Sequence, residues 1–472
     1  MFKVIIFINE RLILLYIFFK IHYNIYNRII LHIYRSDMKY YINTYGCQMN
    51  VHESEKLAGI LEERGFTPAE KEADADIIVF NTCCVRETAE TKILGNLGIV
   101  KKLKESKPNL KVCVCGCMAQ KKGEAERLKK RCPFINLIFG THNLYKFDEY
   151  LDSILTGKNV VEVWDTDKTL PERTPIKRSD SVNAWVNIMY GCNNFCSYCI
   201  VPYVRGREIS RPEQDVLEDV KALISEGYKE ITLLGQNVNS YGNDFSDKNG
   251  NNFARLLEKC ASFDGDYKIR FMTSHPKDLS LEVVKTIAAS DKLADFIHLP
   301  IQAGSDRILD LMNRRYTSSH YLEQIDMIRS YIPDVGLSSD IMVGFPTETE
   351  EDFSATLDIV KKVRYNNLYT FIYSRRSGTP ADKMEQVDLS VKKRRIKELI
   401  ALQFDIGCEL AKECVGKTYR VLCDGFDGKT ASGKSSCEKA IYFPSTENLV
   451  GSFVNVKVTS TKNNQLFGEI IK

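Results

Sequence analysis

Cys192, Cys196 and Cys199 form a C-x3-C-x2-C triplet within the run Tyr190-Gly-Cys-Asn-Asn-Phe-Cys-Ser-Tyr-Cys. Iron–sulfur cubes normally take four cysteine thiolates, so three this close could bind three irons of a [4Fe–4S] cluster and leave the fourth iron open to another ligand. Zinc is the main competitor. Structural zinc, however, favours four ligands in two close pairs, and no Cys or His pair follows nearby at finger spacing. Three buried packing cysteines are the plainer alternative, since free cysteine often serves only as a small apolar residue.

A second set is spread along the chain. Cys47, Cys83 and Cys117 each follow a strand-like segment, Lys39–Thr44, Asp76–Phe80 and Lys111–Cys115, with the helical stretches Glu53–Arg64 and Arg86–Lys104 between them. That alternation is open α/β grammar. In such sheets ligands gather beyond the carboxyl ends of the strands, where helix N-termini also favour an anionic thiolate. Three cysteines more than thirty residues apart can therefore meet on one rim. The pattern is consistent with a second three-cysteine cluster, and it does not separate Cys83 from its neighbour Cys84.

The elements that must position these residues divide the chain. Residues 38–155 read as an N-terminal α/β domain and 156–181 as a linker, Val160–Ser181 being polar with two prolines and no sustained period. Across residues 182–411 six strand candidates alternate with helices: Ala184–Met189, Glu230–Leu234, Lys268–Met272, Phe296–Pro300, Val335–Met342 and Leu368–Tyr373. The helical stretches include Pro212–Glu226, Leu279–Ala289, Ser318–Tyr331 and Glu350–Val363. Six βα units make a partial parallel barrel, with the triplet in the loop after its first strand, at the face where barrel chemistry sits. A polar helix, Ser390–Lys412, then leads to residues 412–472. There the strand candidates Thr418–Cys423, Lys439–Phe443 and Ser452–Thr459 with Gly and Asn turns predict a small β-barrel.

Composition narrows the class. The 472 residues, 44% hydrophobic and 27% charged, suit an ordinary globular chain of two to four domains. Fifteen cysteines dispersed through so large a chain, with a cluster-type triplet among them, point to a reducing cytoplasm instead of a disulfide scaffold. The net charge of +3 is too small to announce a nucleic-acid partner and leaves room for a local basic patch. Residues 1–37 are apolar and basic, but the longest apolar run, Leu12–Phe19, falls far short of the ~20 residues a membrane span needs. They are expected to be an upstream extension or a mis-assigned start, outside a fold that begins at Met38; an interfacial helix is the sharper alternative. Gly428-Lys-Thr-Ala-Ser-Gly-Lys-Ser435 fits the phosphate-loop expression G-x4-G-K-S, yet a strand candidate follows where a long helix is required, so nucleotide hydrolysis is not expected.

Several runs together resemble the methylthiotransferases of the radical S-adenosylmethionine (SAM) superfamily: Thr44-Tyr-Gly-Cys-Gln-Met-Asn50, Asn81-Thr-Cys-Cys-Val-Arg86, Gly116-Cys-Met-Ala-Gln120, the triplet with Tyr198 before its last cysteine, and Val201-Pro-Tyr-Val-Arg-Gly-Arg-Glu208. Further matching stretches are Leu234-Gly-Gln-Asn-Val-Asn-Ser-Tyr241, His298-Leu-Pro-Ile-Gln-Ala-Gly-Ser305, Asp340-Ile-Met-Val-Gly-Phe-Pro-Thr-Glu-Thr349 and Gly378-Thr-Pro-Ala381. The resemblance runs from Met38 to the C-terminus. The Gln-Met-Asn and Gly-Gln-Asn-Val-Asn runs favour the branch acting on isopentenyladenosine in tRNA over those acting on threonylcarbamoyladenosine or a ribosomal aspartate.

The resemblance implies two [4Fe–4S] clusters, a SAM-cleaving one on Cys192, Cys196 and Cys199 and an auxiliary one on Cys47, Cys83 and Cys117. It implies methylthiolation at C2 of N6-isopentenyladenosine 37, with one SAM as methyl donor and another as source of the 5′-deoxyadenosyl radical that takes the hydrogen. Tyr198, Gly235, Gln236, Gln302 and Asp340 become candidate SAM contacts at the barrel mouth; each has a loop-shaping or structural alternative. Residues 412–472 resemble the RNA-binding module TRAM, departing from its usual pattern at Gly433-Lys-Ser-Ser-Cys-Glu438. The partners implied are tRNA, an electron-donor protein and a sulfur source, for a cytoplasmic monomer with no membrane partner. No histidine enters the scheme. The competing class is a metal-stabilised RNA-binding protein without catalysis.

Overall fold

The computed structural model describes residues 37–84, 87–165, 174–246 and 252–471. The reading of residues 1–37 as an extension lies outside them, Asp37 apart. Two compact units emerge, one from the residues to Cys84 with Thr88–Lys177, the other from Arg178–Lys472.

The first unit is a six-stranded sheet, β1 (Lys39–Thr44), β2 (Thr67–Pro68), β3 (Ile77–Thr82), β4 (Lys111–Gly116), β5 (Leu137–Phe139) and β6 (Val160–Glu162), in the order β2-β1-β3-β4-β5-β6. All its pairings are parallel. Every residue of β3 is buried, as a strand covered on both faces must be, which is why Ile77–Phe80 reads as an unbroken apolar run. The helix Gln48–Glu63 covers one face through Leu57, Ile60 and Leu61, packed with Phe139, Phe147 and Leu151. Val160–Glu162, read from the sequence as the start of the linker, is instead the edge strand β6 beside β5. Three residues are too few to show a period, which hides such a strand from pattern reading.

In the second unit, six strands follow one another around an arc: β7 (Asn183–Asn187), β10 (Glu230–Leu234) and β11 (Lys268–Phe271), then β12 (Phe296–His298), β13 (Gly336–Val343) and β14 (Asn367–Ile372). Between β7 and β10 lies a two-stranded ribbon, β8 (Met189–Tyr190) with β9 (Ile209–Ser210). The two half-sheets join through a parallel bridge at Ile269 and Leu293. Helices pack outside them in one continuous apolar core containing Val186, Leu233, Ile269, Ile297, Leu337 and Val360. This is the expected partial (β/α)6 barrel. Ser318–Tyr331 and Glu350–Val363 form at the predicted bounds because their starts are capped: the Thr317 hydroxyl accepts from His320 N, and Thr349 with Asp352 makes a capping box.

The last strands, β15 (Thr418–Phe426), β16 (Thr430–Ser435), β17 (Ala440–Pro444), β18 (Phe453–Lys462) and β19 (Gln465–Ile470), close a barrel in the order β15-β16-β17-β19-β18. Most of the phosphate-loop look-alike is itself the strand β16, so that motif has no helix N-terminus to offer a phosphate. The departure at Gly433–Glu438 has a structural reason. Ser435–Glu438 docks against the amino-terminal end of the larger barrel: Arg270 donates to the carbonyls of Ser435 (2.8 Å) and Ser436 (3.1 Å) and pairs with Glu438 (2.9 Å) and with Glu230. Asp295 N donates to Ser436 Oγ at 3.0 Å.

Candidate metal centres

Register alone brings the first three cysteines to one rim. Thr44 pairs with Asn81, and Thr82 with Gly116, so Cys83 and Cys117 each stand one residue past a paired position on neighbouring strands. Such strands lie about 4.8 Å apart. Cys47 follows three residues after Thr44, as the N-cap of Gln48–Glu63, and a Cβ added at Gly46 would stand 3.1 Å from Cys83 Sγ. Two interlocked amides hold this rim. Asn50 Nδ2 donates to Tyr45 O (2.8 Å) and Thr82 O (3.0 Å), and Asn81 Nδ2 donates to Asn50 O (2.8 Å), both side chains being fully buried. Cys113 and Cys115, behind them on β4, are packing residues: burial pushes the Cys113 thiol up to about 12 and Cys115 well above its ordinary range.

The triplet lies in the loop after β8. Gly191 has φ 75°, and a Cβ there would meet Arg207 O at 2.0 Å, so the loop can turn against Gly206–Arg207 only as glycine. Cys192 N donates to Gly206 O (3.1 Å) and Asn193 N to Glu208 Oε1 (3.0 Å), which ties the loop to the matched Val201–Glu208 run. The other side is gripped by residues 311–314. Ser197 Oγ donates to Leu311 O (2.7 Å), Ser197 N to Met312 O (3.0 Å), and Asn313 Nδ2 to Phe195 O (3.0 Å), while Arg314 Nη1 reaches Cys196 Sγ at 3.4 Å. Burial pushes the thiols of Cys192 and Cys199 up to about 11 and 12. Thiolates there need a cation, and iron, if bound there, would supply one.

None of the fifteen cysteines is joined in a disulfide. Among the described residues no three Cys, His, Asp or Glu side chains converge on one point as around a single ion. A cube does not require that, because each thiolate binds a different iron and the ligands stay apart.

Buried polar atoms without a hydrogen-bond partner gather at the carboxyl ends of the barrel strands. They include Asn187 Oδ1 at the end of β7, Asn237 Oδ1 after β10, Ser274 Oγ and His275 Nε2 after β11, and Tyr373 OH after β14. Unpaired groups are costly when buried, so this mouth fits a polar ligand such as SAM. The sequence candidates lie along the same rim. At Gly235 a Cβ would meet Met189 Cγ at 2.6 Å, and Gln236 is half-buried beside it. Gln302, buried, bridges to β13 through Asp340 O (2.9 Å), and the half-buried Asp340 carboxylate stands 3.6 Å from His298 Nε2. Tyr198 packs on the apolar cluster of Ala303, Met312, Phe345 and Tyr373, which favours its loop-shaping role.

The sequence brings no histidine into this region; the structure places His298 at the end of β12 beside Asp340, its Nδ1 2.8 Å from Ser338 Oγ. Its place in the His298–Ser305 run was the available signal. Asn50 likewise lay within a matched run, whereas nothing in the spacing pointed to Asn313 or Arg314.

The two glycines make a matched prediction. At Gly116, φ is 91° and a Cβ would meet Thr82 O at 2.5 Å, forcing β3 and β4 apart where Cys83 and Cys117 sit. Gly116→Ala and Gly191→Ala, each leaving all cysteines in place, should cut anaerobically reconstituted iron from about eight to about four per chain. Iron and sulfide assays check this.

Comparison with known proteins gives three regional matches: Uncharacterized protein family UPF0004 over residues 39–140, the Radical SAM superfamily over 186–360 and the TRAM domain over 412–471. A protein of Acetivibrio thermocellus described as tRNA-2-methylthio-N(6)-dimethylallyladenosine synthase is 49% identical over 450 residues, 93% of each chain. One of Clostridium beijerinckii with the same description is 50% identical over 438 residues, 92% of this chain and 96% of that one. Among solved structures, the radical S-adenosylmethionine methyltransferase TsrM from Kitasatospora setae, with cobalamin and a [4Fe–4S] cluster bound, superposes with a TM-score of 0.53 at 14% identity. It covers 84% of this chain and 80% of that one, and at that identity the likeness is one of fold.

Proposed function

Because the chain belongs to the family of tRNA-2-methylthio-N(6)-dimethylallyladenosine synthases, we infer that it replaces the C2 hydrogen of N6-isopentenyladenosine 37 in tRNA with a methylthio group. The observation that carries this reading is the pair of cysteine sets, each at the carboxyl rim of its own parallel sheet. C2–H has no acidic proton and no leaving group, so side-chain acids and bases cannot open it. When bound, two [4Fe–4S] clusters and two equivalents of SAM supply the sulfur, its methyl group and the radical that removes the hydrogen. In our reading Cys192, Cys196 and Cys199 hold the SAM-cleaving cluster, and Cys47, Cys83 and Cys117 hold the auxiliary one.

The remaining residues bind, orient and exclude water. The unpaired polar atoms at Asn187, Asn237, Ser274 and His275 would receive polar groups of SAM, with Gly235, Gln236, Gln302 and Asp340 along the same rim. Tyr198 and its apolar neighbours keep the floor behind the loop dry. We further propose a protein one-electron donor, a sulfur source and a cytoplasmic, monomeric enzyme. Fifteen cysteines without a disulfide agree with a reducing compartment, and among the described residues no helix is long and apolar enough to cross a membrane.

For RNA binding the terminal barrel offers Tyr442 and Phe467, paired in register on β17 and β19, with ring centroids 5.9 Å apart. Their strand neighbours Ile441, Phe443 and Leu466 fill the barrel core, so alternation turns these two rings outward. Stacking of a base on an aromatic contributes about 1–3 kcal/mol, and phosphate contacts add salt dependence. Tyr442→Ala with Phe467→Ala should weaken tRNA binding about five- to a hundred-fold and leave SAM cleavage unchanged. Unaltered affinity in a filter-binding titration would remove this face from the interface. The double variant is a cleaner probe than truncation at Val415, which would also strip Ser435–Glu438 from Arg270.

A further inference from the structure

Arg314 is a buried cation without a carboxylate. It is 4% exposed, and its donors go to Tyr316 OH (Nε, 2.9 Å), Pro300 O (Nη2, 2.7 Å) and Cys196 Sγ (Nη1, 3.4 Å). Among the described residues no Asp or Glu forms an ion pair with it. Stripping a guanidinium of water costs several kcal/mol unless an opposite charge answers it. Among the described residues the groups beside it that answer its charge are the triplet sulfurs, with Cys196 Sγ at hydrogen-bond distance, and whatever those sulfurs bind.

The backbone is built to hold the guanidinium there. Asn313 and Arg315, on either side, both take left-handed conformations, φ 58° and 60°, which non-glycine residues seldom adopt. Strain of this kind, of order 1–3 kcal/mol per residue, persists where surrounding contacts over-determine it. Those contacts are the ones gripping the triplet loop: Asn313 to Asn194 O and Phe195 O, and Ser197 to Leu311 O and Met312 O.

We propose that Arg314 is a positioning residue that serves as the fixed counter-charge of the triplet cluster, its hydrogen bond to Cys196 Sγ raising that cluster's reduction potential. Net charge and hydrogen bonds to sulfur are two of the levers that set such potentials. Adding one electron makes the cluster more negative, and a fixed cation at hydrogen-bond distance from a ligand sulfur favours that state. The electron comes from the external one-electron donor. Arg314 itself neither gains nor loses a proton. The inference rests on the assignment of Cys196 as a ligand.

The test uses the full chain with Cys47, Cys83 and Cys117 replaced by alanine, so that one cluster titrates. Wild-type Arg314, Arg314→Lys, Arg314→Gln and Arg314→Met are reconstituted anaerobically, assayed for iron and sulfide, and titrated with a one-electron reductant while the reduced cluster is followed by electron paramagnetic resonance. With about four irons retained, Gln and Met should each lose at least tenfold in the reduction equilibrium, a fall of about 59 mV, while Lys stays closer to wild type. Uncharged variants that cannot hold iron while Lys does would support the same need for charge. Loaded Gln and Met variants with wild-type potential, or a Lys variant no different from them, would overturn the proposal. Absence of iron when Arg314 is intact would fall on the ligand assignment itself and take the proposal with it.

Discussion

Alanine at Cys192, Cys196 and Cys199 together should leave a folded protein with about four of eight irons and no detectable 5′-deoxyadenosine. The three thiolates lie in a loop anchored at both ends by backbone and side-chain bonds, from Gly206 and Glu208 on one side and from Leu311, Met312 and Asn313 on the other. Removing sulfur atoms leaves those bonds intact and costs the loop only the Arg314 contact at Cys196, so the main loss should fall on the cluster and what it does. SAM cleavage by one-electron reduction has no side-chain substitute, which makes the expected effect all-or-none. Iron and sulfide content together with chromatography of the nucleoside products checks it. Stoichiometric zinc in wild-type protein would sink the enzyme reading.

The complementary variant should separate the two halves of the reaction. With Cys47, Cys83 and Cys117 replaced by alanine, the triplet and the barrel mouth are untouched, so SAM should still be cleaved under dithionite at near wild-type rate. No methylthio-nucleoside should form on isopentenylated tRNA, because the atoms able to hold the sulfur source are gone. Normal methylthiolation by this variant would contradict the division of roles.

Legibility followed physical range. The triplet stood out because its cysteines are close in sequence, and the rim set because each cysteine repeats one topological position; the register of Thr44 with Asn81 and Thr82 with Gly116 supplies the spatial reason. Helices with strong caps, Ser318–Tyr331 and Glu350–Val363, were readable to the residue. Short edge elements such as Thr67–Pro68 and Val160–Glu162 were not, since they show almost no period and owe their pairing to distant partners. The same limit hid the grip of residues 311–314 on the triplet loop and the docking of Ser435–Glu438 on Arg270, more than a hundred residues apart in each case. The surroundings of His298 were hidden too: a lone histidine is usually structural, and its neighbours Ser338 and Asp340 on the next strand come beside it only through the fold.

The most direct measurement supplies the reconstituted wild-type protein with SAM, reductant and a sulfur source, on two tRNA preparations that differ only in the isopentenyl group at adenosine 37. Nucleosides are then read by mass spectrometry. The account predicts a methylthio group at C2 of the isopentenylated adenosine and little or none on the unmodified one. Equal methylthiolation of both, or none of either with both clusters loaded, would contradict it.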